Sequence, residues 1–150
     1  MNETSTRNTL YQSEDVNVIS EFHGAVYTLT YNIFKTPDAD KCKELLGVSQ
    51  KFFDFCDGSI ILILKSKAWH LCIPSAGGCF CITQFFIEHI KLVQNKLAGV
   101  CFKVKRKDEA VLGALHGFTS LCPLECPIVI VDDKKEFEEA KNRIISSQCA

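Results

Sequence analysis

The sequence predicts a single three-layer α/β domain, with a central mixed, mostly parallel sheet and helices on both faces. Three observations lead there. First, 150 residues with 47% hydrophobic and 23% charged side chains suit one folded domain and exclude a disordered or fibrous chain. Second, Ser59–Leu64 and Cys126–Val131 are near-continuous apolar runs, the mark of strands buried on both sides. Third, these runs alternate with segments whose apolar residues recur every three or four positions, as in amphipathic helices.

Taken in order, residues 1–17 are polar and read as a disordered N-terminal arm, leaving 18–150 as the folded domain. Ala25 to Ile33 is rich in β-branched and aromatic residues and reads as a strand. Thr36-Pro37-Asp38 opens a helix that carries Cys42, Leu45 and Leu46 inward and stops near Gly47. Lys51 to Phe55 reads as a short strand, and Asp57-Gly58 as a turn before the Ser59 strand. A break at Ser66-Lys67 and a second apolar run from Ala68 to Ile73 suggest a hairpin, which makes the sheet mixed. Ser75 to Gly78 is a loop. Phe80 to Leu97 then places Phe85, Phe86, Ile90, Val93 and Leu97 on one helical stripe. Val100 to Lys105 is a strand, Asp108 to Cys122 a helix, and Cys126 to Val131 a buried strand. Asp132-Asp133 caps a last helix with Phe137, Ala140 and Ile144 inward.

The composition excludes several function classes. A net charge of −1 argues against a generally basic nucleic-acid coat. No apolar run is long enough to span a bilayer, and the polar opening residues do not make a secretory signal. The nine cysteines are odd in number and sit mostly in apolar runs, where a free thiol behaves as a small buried hydrophobe. That points to a reducing compartment. Cys79 and Cys81 form a C-x-C pair and Cys122 and Cys126 a C-x3-C pair. Neither has the spacing of a structural zinc site, so no metal and no cofactor are expected.

Candidate chemistry is sparse. Gly77-Gly78 lies between a strand and a helix, but neither phosphate-loop pattern is present. Cys79 or Cys81 could serve as a nucleophile at that helix start, if His70 or His89 approached as its base. Between Gly58 and Lys107 the only acidic residue is Glu88, so the central strands lack the converging carboxylates of metal-dependent phosphodiester chemistry. Cations are denser. Lys103, Lys105, Arg106 and Lys107 cluster at one strand end, with Lys103 and Lys105 on one face by alternation, and Lys65 and Lys67 sit at the hairpin. Such a cluster suits phosphate contacts.

The order of elements is similar to that of a known superfamily. Asp57-Gly58-Ser59-Ile60-Ile61-Leu62-Ile63-Leu64-Lys65, then Trp69-His70-Leu71-Cys72-Ile73-Pro74, a long helix, Gly99-Val100-Cys101-Phe102-Lys103-Val104, another helix, Cys126 to Val131 and a final helix together resemble the XPF-type nuclease domain. The resemblance runs from about Ala25 to Ile145. It is greatest to the superfamily's non-catalytic subunits: the small excision-repair partner of XPF and, more closely, the Spo-sixteen family, the small meiotic crossover-promoting partner of the SHOC-type XPF-like protein.

Active members of that superfamily carry an Asp, a Glu-Arg-Lys strand and a further Asp. With Asp54 or Asp57 as the first, this chain has Ile63-Leu64-Lys65-Ser66 where Glu-Arg-Lys is expected. The resemblance therefore implies a pseudonuclease with no catalytic residue. It would be a subunit of a heterodimer with a larger XPF-like protein, would help to hold branched DNA in meiotic recombination or repair, and would work on chromosomes in the nucleus. Superfamily members also continue into a helix-hairpin-helix module, which residues 18–150 do not contain. The expected DNA contacts are Lys65, Lys67, Lys103, Lys105, Arg106 and Lys107. The expected partner contacts are Phe85, Phe86, His89, Phe118 and Leu121. The alternatives are a small cytosolic α/β enzyme using a cysteine near Gly77-Gly78, or an interaction module without nucleic acid.

Overall fold

The computed structural model describes residues 7–105, 109–120 and 125–149, apart from the side chains of Val111, Phe118 and Cys149. Six strands form one sheet in sequential order: β1 (Arg7–Gln12), β2 (Val16–Phe22), β3 (Val26–Ile33), β4 (Ser59–Ser66), β5 (Leu97–Val104) and β6 (Ile128–Val131). The first three pair antiparallel and β3 to β6 pair parallel, so the sheet is mixed and mostly parallel, as expected.

The polar segment before residue 18 is not a free arm. Arg7 to Gln12 pair with Glu21 to Asn17 across a bulge at Leu10, and Val16 and Val18 are fully buried. Composition misleads here because β1 is an edge strand. Its order comes from backbone pairing and local anchors, with Leu10 and Tyr11 alone packing on the core. Ser13 Oγ accepts from the Asp15 and Val16 amides at 3.2 Å and closes the turn between β1 and β2. The Tyr11 hydroxyl donates to Glu44 Oε1 at 2.6 Å and accepts from Lys41 Nζ at 2.7 Å, which ties β1 to the first helix. The turn into β3 uses Gly24 at φ +82°, a left-handed conformation that glycine adopts without a Cβ penalty.

The first helix, α1 (Ala39–Phe55), is one 17-residue element. Its N-cap is Asp38, whose carboxylate accepts from the Lys41 amide at 2.8 Å. The expected stop at Gly47 and the expected strand from Lys51 to Phe55 are both corrected. Cys42, Leu45, Ser49 and Phe53 form one buried stripe at helical spacing, so the apolar residues after Gly47 continue the helix. Gly47 itself is exposed, with nothing near its missing Cβ, and costs the helix only about 1 kcal/mol.

The expected hairpin is corrected as well. Both edges of β4 are occupied, by β3 and β5, so no edge is free for a strand from Ala68 to Ile73. That run instead forms a short 3-10 helix, Trp69–Cys72, with Trp69, Leu71 and Ile73 packed on the core. The expected long helix from Phe80 divides at His89 into α2 (Ala76–Glu88) and α3 (Ile90–Lys96), and Leu97 opens β5. The last two helices are α4 (Glu109–Thr119) and α5 (Lys134–Cys149).

Parallel strands laid down in sequential order need right-handed crossovers, and these put every crossover helix on the same face. Accordingly α1 to α4 cover one face, over a core that includes Leu29, Ile60, Leu62, Val100, Phe102 and Leu115. Only α5 covers the other, where Phe137 and Ile144 pack on Val26, Ile61, Ile63 and Cys101. Alternation along β4 divides Ile60 and Leu62 from Ile61 and Ile63, as expected of a strand buried on both sides.

Candidate functional site

Two features stand out, one on each face of the sheet. The first is a polar and cationic row on the α5 face. The β4–β5 register puts Lys65 directly beside Lys103, and the β3–β4 register puts Asn32 beside Lys65. Asn32 Nδ2 in turn donates to Asn17 Oδ1 at 2.7 Å on β2. Lys65 is half-buried, with its ammonium 5.0 Å from the centre of the Phe137 ring on α5. Desolvation pushes its pKa below the ordinary lysine value. Lys103, Lys141 and Arg7 push it in the same direction, and Glu138 opposes them. Glu138 also pairs with Lys141 at 3.2 Å. The row therefore gathers Lys65, Lys103 and Lys141 around one carboxylate, with Arg7 acting from further along the sheet.

Lys65 and Lys103 belonged to two separate groups in the sequence, and the sheet register brings them together. Lys67 and Lys105 lie just beyond β4 and β5 and are exposed. Because β5 ends at Val104, strand alternation does not carry Lys105 onto the face of Lys103. Arg106 and Lys107 lie outside the described residues. Arg7 and Lys141 were not picked out from the sequence, because only the sheet order and the seat of α5 place them near Lys65.

The second feature is an apolar cavity of about 130 Å³ on the opposite face, between α1, α2 and the carboxyl-terminal halves of β3 and β4. Leu62, Val100 and Phe102 line it from the sheet, Leu45 from α1, and Ile82 and Phe86 from α2. The Tyr31 hydroxyl bonds Ser49 Oγ, and the Ser49 hydroxyl donates to the Leu45 carbonyl at 2.7 Å. Burial pushes the Tyr31 phenol up to about 12. No local pattern signals this pair, because reading a helix stop at Gly47 removes Ser49 from the stripe that faces Tyr31.

The expected partner residues are redistributed. Phe85 and Phe86 turn toward the core and pack edge-on against each other at 5.8 Å, and His89 stacks on Phe85 at 4.7 Å. The side chain of Phe118, and Leu121, lie outside the described residues. The apolar side chains that α2 presents to water are Phe80 and Ile87, 68% and 61% exposed. With Gln84 they follow an i, i+4, i+7 stripe. Although α2 is predominantly apolar, with Gln84 and Glu88 as its exposed polar side chains, Gly78 is its only buried residue among those described.

The Gly77-Gly78 segment is a packing device. Ser75 caps α2 by accepting from the Gly78 amide at 3.2 Å. A Cβ on Gly78 would stand 2.8 Å from Cys42 Sγ and 2.9 Å from Pro74 Cβ. Close approach of α1 to α2 thus requires glycine there. The Cys79 thiol donates to the Pro74 carbonyl at 3.5 Å. Burial raises its pKa, the opposite of what activates a nucleophile at a helix start. Burial also pushes Cys42 and Cys72 up to about 12 and Cys101 up to about 11. Among the described residues, no three His, Cys, Asp or Glu side chains converge as metal ligands.

No protein-family model matches the chain, and no curated protein matches it. Among solved structures it is similar to an uncharacterized protein of the DUF3478 family from Shewanella loihica PV-4, which has a SpoIIAA-like fold. The TM-score is 0.57 at 8% identity, over 87% of this chain and 96% of that one. At that identity the likeness bears on fold alone, and it agrees with the single α/β domain described above.

Proposed function

We propose that the chain is a non-catalytic binding subunit that docks on a partner protein through the outer stripe of α2. The observation that carries this reading is the exposure of Phe80 and Ile87 on one stripe of a predominantly apolar helix. Helices of that composition are ordinarily enclosed, and large side chains left in water on one stripe mark an interaction surface. The raised thiol of Cys79 weighs against the cysteine-enzyme alternative.

The finer reading rests on the resemblance. The partner is then a larger XPF-like protein, and the heterodimer holds branched DNA on chromosomes in the nucleus. What favours a phosphate-bearing ligand is the adjacency of Lys65 and Lys103, with Lys67 and Lys105 exposed nearby. Lys65 and Lys103 lie on the α5 side and the α2 stripe on the other, so protein and DNA would not compete for one surface.

The test is affinity capture with wild-type chain and with Phe80→Asp/Ile87→Asp, followed by titration of the captured complex against a forked duplex. Recovery of a larger nuclease-like protein by wild type alone, in a complex that binds the fork, supports the proposal. Identical capture by both chains overturns the α2 surface. Capture of a partner unrelated to nucleases, in a complex that does not bind the fork, overturns the DNA reading and leaves the docking surface standing.

A further inference from the structure

We infer that the cavity beneath α1 and α2 is a binding site for a small neutral ligand with an apolar body and a single hydrogen-bond donor, such as a short alcohol or a phenol. Packed interiors hold few voids larger than a water molecule. This one, at about 130 Å³, approaches the roughly 150 Å³ of apolar cavities that stay dry and take up benzene. Strands and helices supply most of its wall, and Pro37 and Pro74, whose rings are fixed, complete it from two short loops.

The lining sets the polarity of the ligand. Among the described residues no charged side chain lines the cavity. Because the Ser49 hydroxyl donates to the Leu45 carbonyl, the proton of the Tyr31–Ser49 bond belongs to Tyr31. The Tyr31 oxygen is left with acceptor capacity only. Thr119 likewise directs its proton to the His116 carbonyl at 3.1 Å and offers an acceptor. With its phenol pushed up to about 12, Tyr31 stays neutral at physiological pH. The hydroxyl oxygens of the lining are therefore acceptors, which tolerate a ligand hydroxyl, whereas a carboxylate would meet oxygen lone pairs with no cation to balance it. The Cys42 and Cys72 thiols, both lining residues, are weak donors and do not reverse this preference.

The site is independent of the partner surface, and its test needs only the chain alone. Benzene, 1-pentanol and butyrate, each of about six non-hydrogen atoms and so near the size such a cavity accepts, are titrated at pH 7 while the methyl resonances of Leu62 and Ile82 are followed by NMR. Benzene and 1-pentanol are expected to shift these methyls saturably, with butyrate at least tenfold weaker. Cys72→Leu fills the cavity and is expected to weaken 1-pentanol at least tenfold. Leu46→Phe, at a half-buried lining position, serves the same purpose if the first variant does not fold. The inference is overturned if neither benzene nor 1-pentanol shifts the methyls, if butyrate binds as tightly as 1-pentanol, or if the filled variant binds 1-pentanol as wild type does.

Discussion

Substituting Gly78 by alanine adds one methyl group at the tightest approach of α1 to α2. The built Cβ lies 2.8 Å from Cys42 Sγ and 2.9 Å from Pro74 Cβ, well inside van der Waals contact. Pro74 is buried and its ring is fixed, and Cys42 is 2% exposed, so neither neighbour has open space to retreat into. Overpacking of this kind costs about 1–3 kcal/mol. Alanine in a helix gains at most about 1 kcal/mol over glycine. The net expectation is destabilisation of about 1 kcal/mol, the middle of the roughly 0–2 kcal/mol left after the full propensity gain that favours the variant. A second substitution isolates the cause. Cys42→Ala removes the Sγ and alone costs about 1 kcal/mol through lost packing. In the double variant one of the two clashes has gone, so the combined loss should fall short of the sum by about 0.5–1 kcal/mol. Urea unfolding followed by far-ultraviolet circular dichroism measures all four proteins. A Gly78→Ala chain as stable as wild type, or losses that add, would refute the packing role assigned to this glycine.

Other outcomes follow from the same geometry. Lys96 Nζ donates to the Phe53 carbonyl, and to the Cys56 carbonyl at 2.7 Å, closing the end of α1. Lys96→Met should therefore cost about 1.5–3 kcal/mol in urea unfolding, and no loss would dismiss the cap. Lys65 faces Lys103 in register and is partly desolvated, so Lys65→Met should leave stability equal or raise it by about 0.5 kcal/mol, with the gain shrinking in salt. A clear loss in low salt would show that the Phe137 contact outweighs the repulsion. The thiols of Cys42, Cys72 and Cys101 have folded pKa values raised above the ordinary 9.0. Their contribution is complete below pH 9 and is lost as the unfolded chain ionises between there and pH 11–12, by at most about 1.4 kcal/mol per pH unit for each thiol. Unfolding free energy that stays flat up to pH 11 would contradict their burial.

Much of the fold was legible because its signals are local. The apolar runs of β4 and β6, and the inward spacing of Phe137, Ala140 and Ile144, report burial directly. The misreadings share a different cause: they turn on which sheet edge is free. Ala68 to Ile73 has the apolar content of a strand, but β5, thirty residues further on, already holds that edge of β4. Arg7 to Gln12 has only Leu10 and Tyr11 as apolar residues, yet β2 offers it an edge. The α1 stripe was cut at Gly47 because glycine was weighed as a stop signal, while the continuation through Ser49 and Phe53 depends on what lies beneath. The candidate sites are less legible still. The Lys65–Lys103 pair and the Tyr31–Ser49 bond join residues far apart in sequence, and each exists only once register and helix length are set. For the exposed face of α2, the residue types were visible and their direction was not: Phe85 and Phe86 look inward, Phe80 and Ile87 outward.

A binding subunit built around α2 is tested most directly by hydrogen exchange on the captured complex, with the chain alone as reference. Free, the amides of Phe80 to Ile87 exchange at a rate set by local opening of α2. In complex they are expected to slow at least tenfold, while amides along α5 slow only when a forked duplex is added. Protection confined to α5 on adding the protein partner, or unchanged exchange along α2, would contradict the assignment of that helix as the docking surface.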